Sequence, residues 1–188
     1  MDRTACILCG LECDSFRDFE TDEYCSSCKR CGKYWISRPA SFDKDLRDAW
    51  GLMAATRQAD EAGKPLHVTT EAWHELAAAH EGTTVGAKIR KLIEYLGRKT
   101  FPGQMCSLDC TLDYPLFDAC GQGEALFLLT QCGELGYVEG SEANCRLTVA
   151  GWSYLEPDTT GIPGLGFVAM SFDPSLEVAY DSGNPRGD

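Results

Sequence analysis

Long apolar runs are missing from this chain: no stretch approaches the roughly twenty apolar residues that cross a bilayer. The N-terminus also lacks a basic-then-apolar targeting segment, so the chain reads as a soluble cytoplasmic protein. Histidine is scarce. His67, His74 and His80 are the only three, and none lies beside a cysteine pair in sequence, so each reads as a surface or packed side chain rather than a ligand or a general base. There is no Walker loop, no Gly-x-Gly-x-x-Gly after a strand, and no Ser-His-Asp or Cys-His set. Nucleotide hydrolysis and nucleophilic catalysis are therefore left without their usual parts. Basic residues nearly vanish from the last part of the chain, where twelve Asp and Glu from Thr111 onward face only Arg146 and Arg186. A surface that acidic repels phosphate backbones, so nucleic acid is not the expected partner unless the first hundred residues supply the contact. Protein, either a second copy or an effector domain, is the partner that remains.

What is abundant is cysteine, with eleven in 188 residues. Two knuckles stand out near the start, Cys6-x-x-Cys9-Gly10 and Cys28-x-x-Cys31-Gly32. Each is a tight turn presenting two thiolates, with a glycine that lets the backbone curl beneath an ion. Four sulfurs make one tetrahedron, and Cys6, Cys9, Cys28 and Cys31 are the predicted ligands of a structural zinc. Binding free energy of this kind becomes folding free energy for a segment whose apolar residues, Ile7, Phe16, Phe19, Tyr34, Trp35 and Ile36, make only a thin cover. An all-cysteine set leaves no open position for water, which argues against a catalytic zinc. Ligands are in surplus: Cys25 also forms a Cys-x-x-Cys with Cys28, and Cys13 lies nearby. Cys28 with Cys31 is preferred because Gly32 repeats the Cys-Gly end of the first knuckle. A disulfide cluster is the alternative, and it needs an oxidising compartment.

Beyond a short break at Arg38-Pro39-Ala40, the spacing predicts a helix over Ser41–Gly63, with Leu46, Trp50 and Met53 on one face and Gly63 with Pro65 as the stop. An extended link, 65–69, leads to a second helix capped by Thr70 and running to His80, with Trp73, Leu76 and Ala77 inward. The third helix, Thr84–Leu96, has the cleanest period, with Val85, Ile89, Leu92, Ile93 and Leu96 on one side. Its other side carries Lys88, Arg90, Lys91, Arg98 and Lys99, read either as a solvated face or as a contact for nucleic acid or an acidic partner. The alternation of Cys106, Leu108, Cys110 and Leu112 with polar residues predicts a strand over Phe101–Asp113 with one buried face. Cys106, Cys110, Cys120, Cys132 and Cys145 read as small core residues.

From Gly123 onward come a helix with Leu126, Leu129, Cys132 and Leu135, then Gly136-Tyr137-Val138, a polar turn, Arg146-Leu147-Thr148, and a short helix that Thr148 caps and Pro157 closes. This order resembles a winged helix, in which the helix before the hairpin reads the major groove in DNA-binding members. Four glutamates here, Glu124, Glu134, Glu139 and Glu142, face Arg146 alone, which favours protein contact over DNA. Asp158–Gly164 reads as a linker and Gly166–Phe172, followed by Asp173-Pro174, as the first strand of a parallel α/β sheet. Knuckles, helices, Gly-Tyr-Val, Leu-Thr-x-x-Gly-Trp and Phe-Val-Ala-Met-Ser-Phe-Asp, in that order, resemble a family of uncharacterised bacterial proteins that end in a Rossmann-like domain similar to TIR and nucleoside 2-deoxyribosyltransferase domains. The resemblance implies an effector that cleaves an N-glycosidic bond in a nucleotide or NAD, with the ribbon and winged helix as its sensor.

The expected fold is α+β: a zinc ribbon over 1–40, a helical segment over 41–100, a winged-helix-like unit over 101–157, a linker over 158–165, and the truncated start of the α/β effector over 166–188. No catalytic or cofactor-binding residue is assigned, because one strand does not make a nucleotide pocket. The expected work is recognition. The enzyme-class rival places the glycosidic chemistry in sequence this chain does not include, and a DNA-binding regulator is the third reading.

Overall fold

A computed structural model describes residues 2–156; the linker and the strand expected at 166–172 lie outside the described residues. The fold is mixed α and β. Strands β1 (Asp2–Ala5), β2 (Glu12–Asp18), β3 (Glu23–Cys28) and β4 (Gly32–Ser37) form an antiparallel meander, and β5 (His67–Val68) extends the order to β1-β2-β3-β4-β5. β5 pairs with β4 in parallel, with Ile36 opposite Val68. A parallel neighbour requires the chain to travel back along the sheet before it pairs, and here the return is helical.

That return comprises α1 (Arg38–Ser41), a 3₁₀ turn (Lys44–Arg47) and α2 (Trp50–Glu61). The predicted break at Arg38-Pro39-Ala40 is thus a helical turn, because Pro39 sits in the first turn where no N–H is needed. The single predicted helix from Ser41 is split for a local reason as well. The Asp43 carboxylate accepts from the Asp45 N–H and starts a fresh, tighter turn there. α3 (Trp73–Glu81) begins later than predicted and has no side-chain cap; Thr69, not Thr70, accepts from the Ala72 N–H. α4 (Val85–Lys99) is capped by Thr84, which the sequence reading placed inside the helix; its hydroxyl accepts from the Ala87 N–H, and the helix runs one turn past Leu96.

The cover on the sheet differs from the predicted one. Phe16 and Phe19 are exposed, while Leu8, Tyr34, Ile36, Leu46, Leu52, Val68 and Trp73 are buried together in one cluster with Cys6, Cys28 and Cys31. The crossover helices and α3 therefore add apolar side chains, Leu46, Leu52 and Trp73, to those of the strands. At about 1.5–3 kcal/mol per fully buried aliphatic or aromatic side chain, this shared core contributes on the same scale as a bound ion.

A second core forms around α4, α5 (Gln122–Glu134), the hairpin β6 (Val138–Ser141) and β7 (Asn144–Leu147), and α6 (Val149–Leu155), with Ile89, Leu92, Leu96, Phe117, Leu128 and Leu147 buried within it. The Thr148 hydroxyl caps α6 by accepting from the Gly151 N–H, as predicted. The predicted strand over 101–113 shrinks to a bridge between Cys106 and Cys145. Downstream, the Asp109 carboxylate accepts from the Thr111 and Leu112 N–H groups and bends the chain out of the extended conformation, although Leu108 and Cys110 still point inward. On α5 the buried face is Ala125, Leu128, Leu129 and Cys132, while Leu126 and, at the C-terminal cap, Leu135 are exposed. Val85 and Cys120 are exposed too, at the ends of their segments.

Candidate metal centre

The four predicted cysteines meet. Their sulfurs all lie within 4.8 Å of one another, with Cys9 to Cys28 at 3.5 Å and Cys6 to Cys31 at 3.8 Å. Two sulfurs bound to one zinc at about 2.3 Å in tetrahedral geometry stand about 3.8 Å apart, so the donor set has the right chemistry and the right size for a four-coordinate ion. All eleven cysteines are free thiols, and these spacings are far outside the roughly 2 Å of a disulfide.

Local backbone geometry produces the cluster. After β1 the chain folds back so that the Cys6 N–H donates to the Leu11 carbonyl and the Gly10 N–H to the Cys6 carbonyl, with Gly10 at φ +73°. The second knuckle joins β3 to β4, with Cys28 opposite Gly32, and Gly32 at φ +74°. Only glycine takes that backbone angle without strain. Space enforces it a second time: a Cβ on Gly32 would stand 2.7 Å from the Asp60 Cβ, so the knuckle rests directly on α2. The Tyr34 hydroxyl lies 3.2 Å from the Cys6 sulfur, deep in the core.

The protons show what the cluster needs. Its contact with Cys31 holds the Cys28 thiol well below the ordinary range, while contact with Cys28 pushes Cys31 and Cys9 well above it. Four thiolates cannot crowd together in a poor dielectric by themselves; a divalent cation bound there would take the place of the retained protons. Cys25 and Cys13, the surplus thiols, stand outside the four. Cys25 lies mid-strand opposite Trp35. Burial pushes the Cys13 thiol up to about 12, which keeps it protonated.

The basic face of α4 is partly engaged by other side chains, while Arg90, Arg98 and Lys99 are exposed. Lys88 is buried, with its ammonium 2.7 Å from Glu124 and over the Trp50 ring. Lys99 donates to the Tyr95 hydroxyl and the Ser107 carbonyl, and Arg90 lies over Tyr154. Lys91 donates to Asp118 at 2.6 Å. Asp118 is fully buried and also accepts from Gln58 on α2, Thr83, and the His80 ring at the end of α3. Burial alone would raise its carboxyl, but the hydrogen bonds from His80, Lys91, Thr83 and Gln58 outweigh that and hold it well below the usual carboxylate range. His67 and His74 are exposed and stack on Trp35 and Trp73. Among the described residues no helix is long and apolar enough to cross a membrane.

Neither Asp118 nor its partners were singled out as a group by sequence; the one visible signal was a chain otherwise poor in histidine placing His80 at a helix end. Comparison with known protein families, curated proteins and solved structures found no match.

Proposed function

We propose that this chain is a zinc-stabilised recognition segment that contacts protein, as the regulatory part of an effector of the TIR-like or nucleoside 2-deoxyribosyltransferase-like kind. The observation that carries the reading is the closed set of four sulfurs. An ion bound there has no position left for a reacting water, so its work is to hold the sheet and the crossover helices together. The thiols indicate zinc or iron, and zinc is the assignment made here, in a reducing, cytoplasmic setting that keeps eleven thiols free.

The second half fits a winged-helix-like unit. Its elements run helix, bridged residue, helix, hairpin and closing helix, and Cys106 pairs onto β7 beside the hairpin. In that arrangement α5 would be the reading helix. Yet α5 has no Lys or Arg, and it exposes Leu126, Phe127 and Leu135. With the α4 lysines already engaged, these features support contact with a protein rather than with phosphate.

Elemental analysis of the purified full chain tests the scaffold reading, with circular dichroism before and after chelation. One zinc per chain is expected, together with loss of the sheet signal on chelation. A metal-free protein that is folded and titrates every thiol would overturn it.

A further inference from the structure

The strand register places a fifth thiol against the cluster. β2 and β3 pair with Asp14 opposite Ser27 and Ser15 opposite Ser26. The paired residues end there, and the same register carried one step further would set Cys13 opposite Cys28. Residues opposed in this way hold their Cα atoms roughly 4.5–5.5 Å apart with side chains on one face, inside the roughly 4.4–6.8 Å span of a disulfide. Both side chains are buried, at 6 % and 4 % exposure, in the same core. Both also line one cavity of about 610 Å³ that Arg3, Lys29 and Arg57 border.

We propose that Cys13 and Cys28 form a redox modification site, in which Cys13 is the resolving thiol that takes Cys28 away from the ion when hydrogen peroxide enters the cavity. The inference rests on the four-sulfur reading above. In the first step the Cys28 thiolate attacks one peroxide oxygen, an S–O bond forms, the O–O bond breaks and hydroxide leaves; the sulfur becomes a sulfenic acid and the peroxide is reduced. In the second step the Cys13 sulfur attacks the sulfenic sulfur, the S–O bond breaks, the Cys13 proton leaves with the departing hydroxyl as water, and the Cys13–Cys28 disulfide remains. The ion then has three sulfurs instead of four and is released. Because Cys28 closes the second knuckle against α2, its withdrawal also loosens the contact between Gly32 and Asp60. The surplus thiol thereby gains a reason to sit where it does, outside the four yet facing one of them.

The test uses the full chain with its metal content measured first. The protein is mixed with equimolar hydrogen peroxide in the presence of a chromophoric zinc indicator, and disulfides are mapped by mass spectrometry of unreduced peptides. Wild type should release zinc with a Cys13–Cys28 peptide as the principal product, reversed by dithiothreitol and added zinc. Cys13→Ser and Cys13→Ala should hold a full complement of zinc, because Cys13 is not among the four, and should release it about tenfold more slowly. Two substitutions of different polarity separate the chemistry from a packing defect, and circular dichroism verifies that each is folded. Zinc present but released at the wild-type rate from both variants, or a Cys9–Cys28 product in place of Cys13–Cys28, overturns this inference alone. No zinc in the wild-type protein overturns it together with the four-sulfur reading.

Discussion

Asp118 is where the two cores are tied together, and its removal is the most informative perturbation of stability. The carboxylate has no exposure to solvent, while the His80 and Lys91 side chains that reach it are 20 % and 32 % exposed. Removing one member of a buried, hydrogen-bonded charge set costs about 3–5 kcal/mol. Since two of the donors can turn to water, the expected loss for Asp118→Asn falls below that range, at about 2–3 kcal/mol. Asp118 has φ +58°, a left-handed angle that Asn tolerates and Ala does not, so Asp118→Ala should cost about 1 kcal/mol more. Urea unfolding of the zinc-saturated protein, followed by far-ultraviolet circular dichroism, measures both. With a slope of about 1–3 kcal/mol per molar urea, Asp118→Asn should bring the midpoint down by about 0.7–3 M without changing the slope. The pH dependence follows from the depressed carboxyl. A carboxylate whose folded pKa lies below the unfolded value of about 3.9 stabilises fully above that value, and the stabilisation is lost as pH falls through it toward the folded pKa. The gap between wild type and Asp118→Asn should therefore be full at neutral pH and close below about pH 4. A gap under about 0.5 kcal/mol at neutral pH, or one that does not change with acidification, would refute the reasoning.

Two further outcomes are expected. Gly51 on α2 has no room for a Cβ, which would overlap the Ala77 carbonyl of α3; Gly51→Ala should lower Tm by about 4–8 °C in calorimetry despite better helix propensity. Gly86→Ala, on the open side of α4, is the control and should leave Tm unchanged or raise it slightly. Fluorescence anisotropy with a labelled DNA duplex should show no saturable binding even at about 50 mM salt; tight binding that weakens steeply with added salt would instead support the regulator reading.

Several features were legible before any coordinates because they depend on residues close together in the chain. The spacing of Cys6 with Cys9 and of Cys28 with Cys31, each followed by glycine, encodes its own turn, and the turns did bring the sulfurs together. Thr148 caps its helix through a bond to backbone three residues away, and the α4 stripe of Ile89, Leu92, Ile93 and Leu96 is a property of helical pitch. Other features depended on residues far apart. The α4 lysines read as a free basic face because the partners that neutralise them, Glu124 and Asp118, lie about thirty residues away. The alternation through Cys106 and Cys110 correctly named inward residues but not a strand, since a strand needs a neighbour along its length and only one residue found it. Composition and local spacing were enough to assemble the knuckles and most helices, because backbone geometry and short-range hydrogen bonds act within a few residues. Which lysine is buried and where Asp118 finds its four donors depended on helix packing, which is selected by the burial of surfaces contributed from distant parts of the chain.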